Sequence, residues 1–329
     1  MSYSQPPNPQ YQAHIDPIRQ NLREIAQGTI QAINNGYVDF QDMAFNMRLT
    51  RNSLSRASEH AEHTAYFRPD SKRLSRWKQG PPPAITAEHH DHHSKVQVRI
   101  MKMSTLQGAH YMSQTFPTSN IGVLNFASAT KPGGGFINGA SAQEESIARS
   151  STLFQSLQTP RARRFYELHD RDSKGGYYSH AMIYSPSVAI FRDDNGQWLQ
   201  PYYVDVVTSP AVNAGLVRRK LRYTRRTETE DKILSVMKER MGRILALFEL
   251  RGTRNLVLGS FGTGVFQNEV GPLARIWGEL LGAPGARFAH SFDKVMFAIP
   301  NDYTGRKFQE DFFAAANPSR AWSPGGARM

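Results

Sequence analysis

The 329-residue chain has no cysteine. Disulfides, thiolate metal sites and a cysteine nucleophile are excluded together. No apolar run approaches the ~18–20 residues that a helix needs to span a bilayer. The first residues, MSYSQPPNPQYQ, have no basic segment followed by an apolar one, so no secretory signal is expected. The reading is an intracellular protein, nuclear or cytoplasmic, with no membrane association. Acidic residues are also short, 28 against 40 Lys and Arg, for a formal charge of +12. That balance points either to a polyanionic partner or to solvated basic helix faces.

What is present is ordinary globular material, with 39% hydrophobic and 21% charged residues. The length suits one large domain or two. Residues 1–13 are polar and Pro-rich and are expected to be disordered. Asp16-Pro17 opens a helix, with Asp16 as N-cap and Pro17 at its first position. Ile18, Leu22, Ile25, Ile30 and Ile33 recur at helical spacing, and Gly36 is the expected stop. Residues 40–76 read as polar and weakly helical, and Lys78-Gln-Gly-Pro-Pro-Pro83 as a break.

Strand and helix patterns alternate beyond that break. Strands are predicted at 96–100, 121–126, 181–185, 188–191, 202–208, 255–258 and 295–299. Helices are predicted at 142–158, 228–250, 272–281 and 307–316. The alternation predicts an α/β layered fold with a partly parallel sheet. The expected division is a helical accessory region over 14–95, a core over 96–317 and a flexible tail over 318–329. Six of the nine residues from Arg218 to Arg226 are basic, which reads as an exposed loop able to steer a polyanion.

Two glycine loops each follow an apolar strand and precede a helix. The first is Gly133-Gly134-Gly135, and the second is Gly259-Ser-Phe-Gly-Thr-Gly-Val-Phe266. Glycine lets backbone approach a phosphate closely, and helix N-termini favour anions. Two such loops at strand ends fit a cleft that grips a diphosphate from both sides, although each can also be a plain tight turn. The second loop lacks the Lys-Ser/Thr that ends a P-loop, which disfavours triphosphate hydrolysis. Asn138 stands where a third glycine of a dinucleotide fingerprint would fall, so that site does not match either.

Seven residues separate Gly135 from Gln143-Glu144-Glu145. Ser141-Ala-Gln-Glu144 matches a capping box, so Glu144 has a structural reading beside a chemical one. Neighbours on a helix point ~100° apart, so the two glutamates cannot share a job. One acid–base residue and one positioning residue is the economical assignment, with Glu145 as the acid–base group. His60 with His63, and the run His89-His90-Asp91-His92-His93, lie in polar sequence without a fixed second shell, and no metal site is assigned. Phe266 is the leading candidate to stack on a ribose or base, ahead of Phe292; both can equally be core.

The triple glycine, its spacing and Gln143-Glu144-Glu145 resemble the poly(ADP-ribose) glycohydrolases. Leu124-Asn-Phe-Ala-Ser-Ala, Gly259–Phe266, Ile183-Tyr-Ser-Pro186 and Thr208-Ser-Pro-Ala-Val-Asn-Ala-Gly215 resemble their microbial branch. By motif order the resemblance spans most of residues 15–316, and it is dense over 121–158 and 203–270. It implies a three-layer α/β/α macrodomain-like mixed sheet with an N-terminal helical extension. It also implies hydrolysis of ribose–ribose O-glycosidic bonds, mainly from the chain end, with no cofactor and no metal. The partners implied are poly(ADP-ribose), its ADP-ribose product and ADP-ribosylated proteins, handled by a monomer that reverses ADP-ribosylation in the DNA damage response.

By the family pattern Glu145 is the general acid/base, and Glu144 and Gln143 position the distal ribose. The implied substrate contacts come from Gly133, Gly134, Gly135 and Asn138, and from Gly262, Thr263, Gly264, Val265 and Phe266. Animal-type members carry Asn five residues before the triple glycine, where this chain has Ser128; Asn125 is a possible substitute. A non-catalytic ADP-ribose reader is the alternative, but a pure reader has no need of two carboxylates at the distal ribose.

Overall fold

The structure, a computed structural model, describes residues 16–42, 48–80, 94–221 and 225–318. The expected disorder of 1–13, the run His89–His93, Pro81–Pro83 and the tail from 319 lie outside the described residues. The first elements are α1 (Pro17–Asn35), the antiparallel pair β1 (Tyr37–Asp42) and β2 (Arg48–Ser53), α2 (Ser55–Ala61), β3 (Ala65–Phe67) and α3 (Lys72–Ser75). Next come β4 (Gln97–Met101), α4 (Thr105–Thr115), β5 (Ile121–Phe126), α5 (Gln143–Ser150), α6 (Leu153–Leu157) and α7 (Pro160–Arg171). The chain continues through β6 (Met182–Arg192), β7 (Trp198–Ser209), α8 (Ala214–Lys220), α9 (Arg226–Leu250) and β8 (Asn255–Leu258). It closes with α10 (Val270–Leu281), β9 (Lys294–Ala298) and α11 (Asp302–Ala316).

Seven strands form one mixed sheet in the order β3-β6-β7-β5-β8-β9-β4. From β7 to β4 neighbours run parallel, while β6 and β3 are antiparallel additions. Alternate side chains of the central strands enter two separate cores. Val123, Val206 and Val257 pack with Leu106, Met112, Ile147 and Phe165 from α4, α5 and α7. Leu124, Val207 and Leu256 pack with Met241, Phe248, Trp277 and Phe312 from α9, α10 and α11. Helices thus cover both faces, giving the expected α/β/α layers.

Local chemistry explains the boundaries. Asp16 Oδ1 accepts from the Ile18 N–H (3.0 Å), and Gly36 ends α1 in the left-handed region at φ 76°. The face that α1 buries is Ala26, Thr29 and Ala32, with Ile18 left exposed. The predicted helix 142–158 is two helices. Thr152 leaves the helix to bond Ala189 with both its N–H (3.0 Å) and, through Oγ1, the Ala189 N–H (3.0 Å). Strands 181–185 and 188–191 are one strand with a register shift at Pro186-Ser187, where Asp205 Oδ1 accepts from the Ser187 N–H (3.0 Å). The basic run is a helix over 214–220 and not a loop up to that point.

The N-terminal region is not purely helical, since it holds β1 and β2 and lends β3 to the main sheet. Its helix α1 seats against the first glycine loop through Ala26, Phe136 and Ala148. The guanidiniums of Arg19 and Arg23 both donate to the Asn138 carbonyl (2.9 and 3.2 Å). Among the described residues no helix is long and apolar enough to cross a membrane.

Candidate active site

Parallel strands β5, β8 and β9 all end at one edge of the sheet, and their following loops enclose a cleft of about 780 Å³. Open α/β sheets place ligands at this edge, and the volume suits a nucleotide-sized ligand. Both glycine loops line it, because β5 and β8 are direct neighbours.

The first loop is shaped around the carboxylates. Gly133 and Gly134 are left-handed, at φ 68° and 61°. The Gly135 N–H donates to Glu145 Oε1 (2.9 Å), fixing one carboxylate oxygen and leaving the other toward the cleft. A Cβ on Gly134 would lie 2.2 Å from Glu145 Oε1, so only glycine permits this approach.

Glu144 is 2% exposed. Its Oε2 accepts from the Ser128 N–H (2.6 Å) and its Oε1 from Asn125 Nδ2 (3.2 Å). Burial pushes its carboxyl up to about 8, against the pull of those two donors. The expected capping box is absent: Ala142 is the N-cap of α5 and makes no side-chain cap bond. Glu144 turns inward because the loop after β5 supplies better-buried donors than its own helix end. The two glutamates therefore diverge as their helical spacing requires, with Glu144 sunk into the floor and Glu145 half-buried at the surface of the cleft.

This buried acid gives a pH signature. A pKa raised in the fold favours the protonated form, so its stabilisation is complete below about 4.5 and is lost as pH rises through about 8. Thermal melts of wild type and Glu144→Gln should therefore diverge by roughly 3–5 kcal/mol across that window, with wild type falling relative to the variant. A constant difference from pH 5 to 9 would show that Glu144 is ionised throughout.

Gln143 closes the end of β5. Its Oε1 accepts from the Phe126 N–H (2.9 Å), and its Nε2 donates to the Leu124 carbonyl (2.8 Å) and Thr105 Oγ1 (3.2 Å). The second loop is pinned from behind by Asn268, whose Nδ2 donates to the carbonyls of Val212 (2.7 Å) and Gly262 (2.9 Å). Gly262 is left-handed at φ 79°. Among the described residues none accepts from the N–H groups of Gly262, Gly264, Val265 or Phe266, so four backbone donors face an anion-sized space. Val265 is 79% exposed at the rim, and Phe266 lies against Tyr178 with ring centroids 5.9 Å apart.

Three expected contacts are placed otherwise. Asn125 is fully buried beneath Glu144, bonded to it and to Thr208 Oγ1 (3.2 Å), and does not line the cleft. Gly133 is buried under the loop, and Asn138 faces α1 through its carbonyl. Gly134, Gly135, Gln143 and Gly262 to Phe266 all line the cleft. Phe292 stacks with Phe288 in the core, far from any stacking role. His60 and His63 pack edge to face at 5.7 Å, and among the described residues no three potential metal ligands converge.

Sequence reasoning missed Asp194, a third carboxylate in the cleft wall that accepts from the Ser104 hydroxyl (2.5 Å). Asp193-Asp-Asn-Gly196 reads as an ordinary hairpin turn, so nothing distinguished it. It also missed Ser128, Asn268 and Tyr178, whose roles depend on contacts distant in sequence.

Comparison with known proteins adds the following. The family model described as microbial-type PARG, catalytic domain, matches residues 26–193. The poly(ADP-ribose) glycohydrolase of Thermomonospora curvata is 32% identical over 89% of this chain and 99% of its own, with a TM-score of 0.75. Its structure bound to the inhibitor ADP-HPD is 31% identical over 92% of this chain and 100% of that one, with a TM-score of 0.73. The Deinococcus radiodurans enzyme in complex with ADP-ribose is 30% identical over 82% of this chain and 100% of that one, with a TM-score of 0.66. No curated protein matches the sequence.

Proposed function

This chain belongs to the microbial-type poly(ADP-ribose) glycohydrolase family, and from that premise we propose that it hydrolyses ribose–ribose bonds of poly(ADP-ribose), releasing ADP-ribose mainly from the chain end. The observation that carries this reading is Glu145, held by the Gly135 N–H at the cleft surface opposite four unpaired backbone donors. The second loop binds the diphosphate of the terminal unit, which brings the distal ribose to Glu145. Glu145 gives a proton to the oxygen that leaves with the shortened polymer as the glycosidic bond breaks. The resulting carboxylate takes a proton from water while the water oxygen bonds to the anomeric carbon. The bound diphosphate, two negative charges nearby, stabilises the oxocarbenium-like centre. Glu144 and Gln143 shape the ribose site from the floor, and Asn125 acts through Glu144.

The cargo is ADP-ribosylated protein, met by a monomer inside the cell, in the nucleus or cytoplasm. The reader alternative has no observation in its favour, since a binding module gains nothing from a carboxylate fixed beside the distal ribose.

The chain-end assignment is tested by resolving products by length during early digestion of long polymer. Free ADP-ribose should accumulate from the first time points while the remaining polymer shortens gradually. Early appearance of mid-length oligomers would assign interior cutting instead.

A further inference from the structure

Tyr178 lies in the cleft wall with its backbone in the left-handed region, at φ 53°. An aromatic residue there is strained, and such strain persists only where the surroundings over-determine it. They do so here from two buried side chains. Arg240 is fully buried, and among the described residues it has no carboxylate partner. Its guanidinium instead donates to three carbonyls: Tyr177 (3.0 Å) and Tyr178 (3.2 Å) on one loop, and Pro210 (3.0 Å) on the loop after β7. A planar fork can bridge two loops in this way, whereas a compact ammonium cannot. On the other flank, burial holds His169 down at about 4, so the ring is neutral. Its Nε2 accepts from the Ser179 N–H (3.1 Å), and the ring meets Tyr178 edge-on at 5.7 Å.

The result of this double anchoring is a continuous aromatic shelf. The Tyr178 and Phe266 rings lie 5.9 Å apart at 37° to each other, beside the loop whose donors face the diphosphate. Burying a guanidinium without a counter-ion is costly, and a core position of pure packing would be better served by an apolar side chain. What the arginine provides is a fixed relation between the 177–178 backbone and the cleft.

We propose that Arg240 is a positioning residue that holds Tyr178 in place as the shelf on which the adenine base of an ADP-ribose unit stacks. This rests on the reading that ADP-ribose is the ligand, and it deepens that reading by naming the residues that hold the base. Phe266 continues the shelf toward the diphosphate.

The test is calorimetric titration of ADP-ribose into wild type, Tyr178→Ala, Tyr178→Phe, Arg240→Lys and the double variant Tyr178→Ala/Arg240→Lys, with kcat and KM on polymer for each. Tyr178→Ala should weaken ADP-ribose binding about tenfold, and Tyr178→Phe should bind as wild type. Arg240→Lys, shown folded by circular dichroism, should weaken binding several-fold through KM, with kcat within about twofold of wild type. The double variant should bind no more weakly than Tyr178→Ala alone, because Arg240 acts through that ring. If Arg240→Lys does not fold, Arg240→Gln, whose amide can serve only one of the two loops, takes its place in the cycle. Unchanged binding by Tyr178→Ala, unchanged binding by a folded Arg240 variant, or additive losses would each overturn the proposal. Wild type that neither binds ADP-ribose nor releases it would instead overturn the functional reading.

Discussion

Glu145→Gln is expected to slow ADP-ribose release from poly(ADP-ribose) by about 10²–10⁴-fold, the usual worth of a positioned acid–base group. Glutamine keeps the shape of the side chain, and its amide oxygen can still accept from the Gly135 N–H (2.9 Å in the native protein). The substitution removes only the ability to give and take a proton. Glu145 is half-buried and one face of its carboxylate is already used by backbone, so little stability should be lost. ADP-ribose affinity should remain near wild type, because the diphosphate donors lie on the opposite loop. A loss in binding equal to the loss in rate would mean that Glu145 holds substrate and does not perform the chemistry.

Gly134→Ala is expected to be nearly as damaging without touching any reacting group. The new methyl would lie 2.2 Å from Glu145 Oε1 and 2.8 Å from its Cδ, so the carboxylate must move. Displacing a catalytic group by about 1 Å commonly costs on the order of 10²-fold in rate. The backbone adds its own strain, because φ at Gly134 is 61° and an L-residue there loses roughly 1–2 kcal/mol. The expected pattern is a drop of a few degrees in Tm and a much larger fall in kcat. If activity fell only in proportion to folded protein, the contact between Gly134 and Glu145 would have no catalytic meaning. The glycine run is therefore a device for bringing backbone against a carboxylate as much as against a phosphate.

Much of this arrangement was legible in the sequence. The apolar runs at 121–126 and 255–258, each followed by glycines, located two strand ends without any knowledge of their pairing. The sheet then made them neighbours, which turned two weak loop signals into one cleft. The ~100° divergence of adjacent helical residues foretold that Glu144 and Glu145 would part. It could not say which way each would turn, and the capping-box pattern suggested the wrong partner for Glu144. Its real donors, Ser128 and Asn125, sit on the loop after β5, and local sequence does not report a competition between two elements for one carboxylate.

Helix α4 was legible but unread. Ser104 and Gln107 form a reciprocal capping box, the pattern that was instead sought at Ser141. Helix α7 likewise announced itself through Thr159 as N-cap and Pro160 behind it. Tyr178 and Arg240 had no local signal. Positive φ on a tyrosine and a buried guanidinium on a 25-residue helix become visible only once α9 packs under the sheet.

The central claim is that this cleft turns its ligand over. The most direct measurement is free ADP-ribose released when protein-linked poly(ADP-ribose) is incubated with a trace of the purified chain, wild type beside Glu145→Gln. The account predicts many ADP-ribose molecules released per wild-type molecule and almost none from the variant, with both binding ADP-ribose. Release that persists in Glu145→Gln, or tight binding by wild type with no release at all, would contradict it.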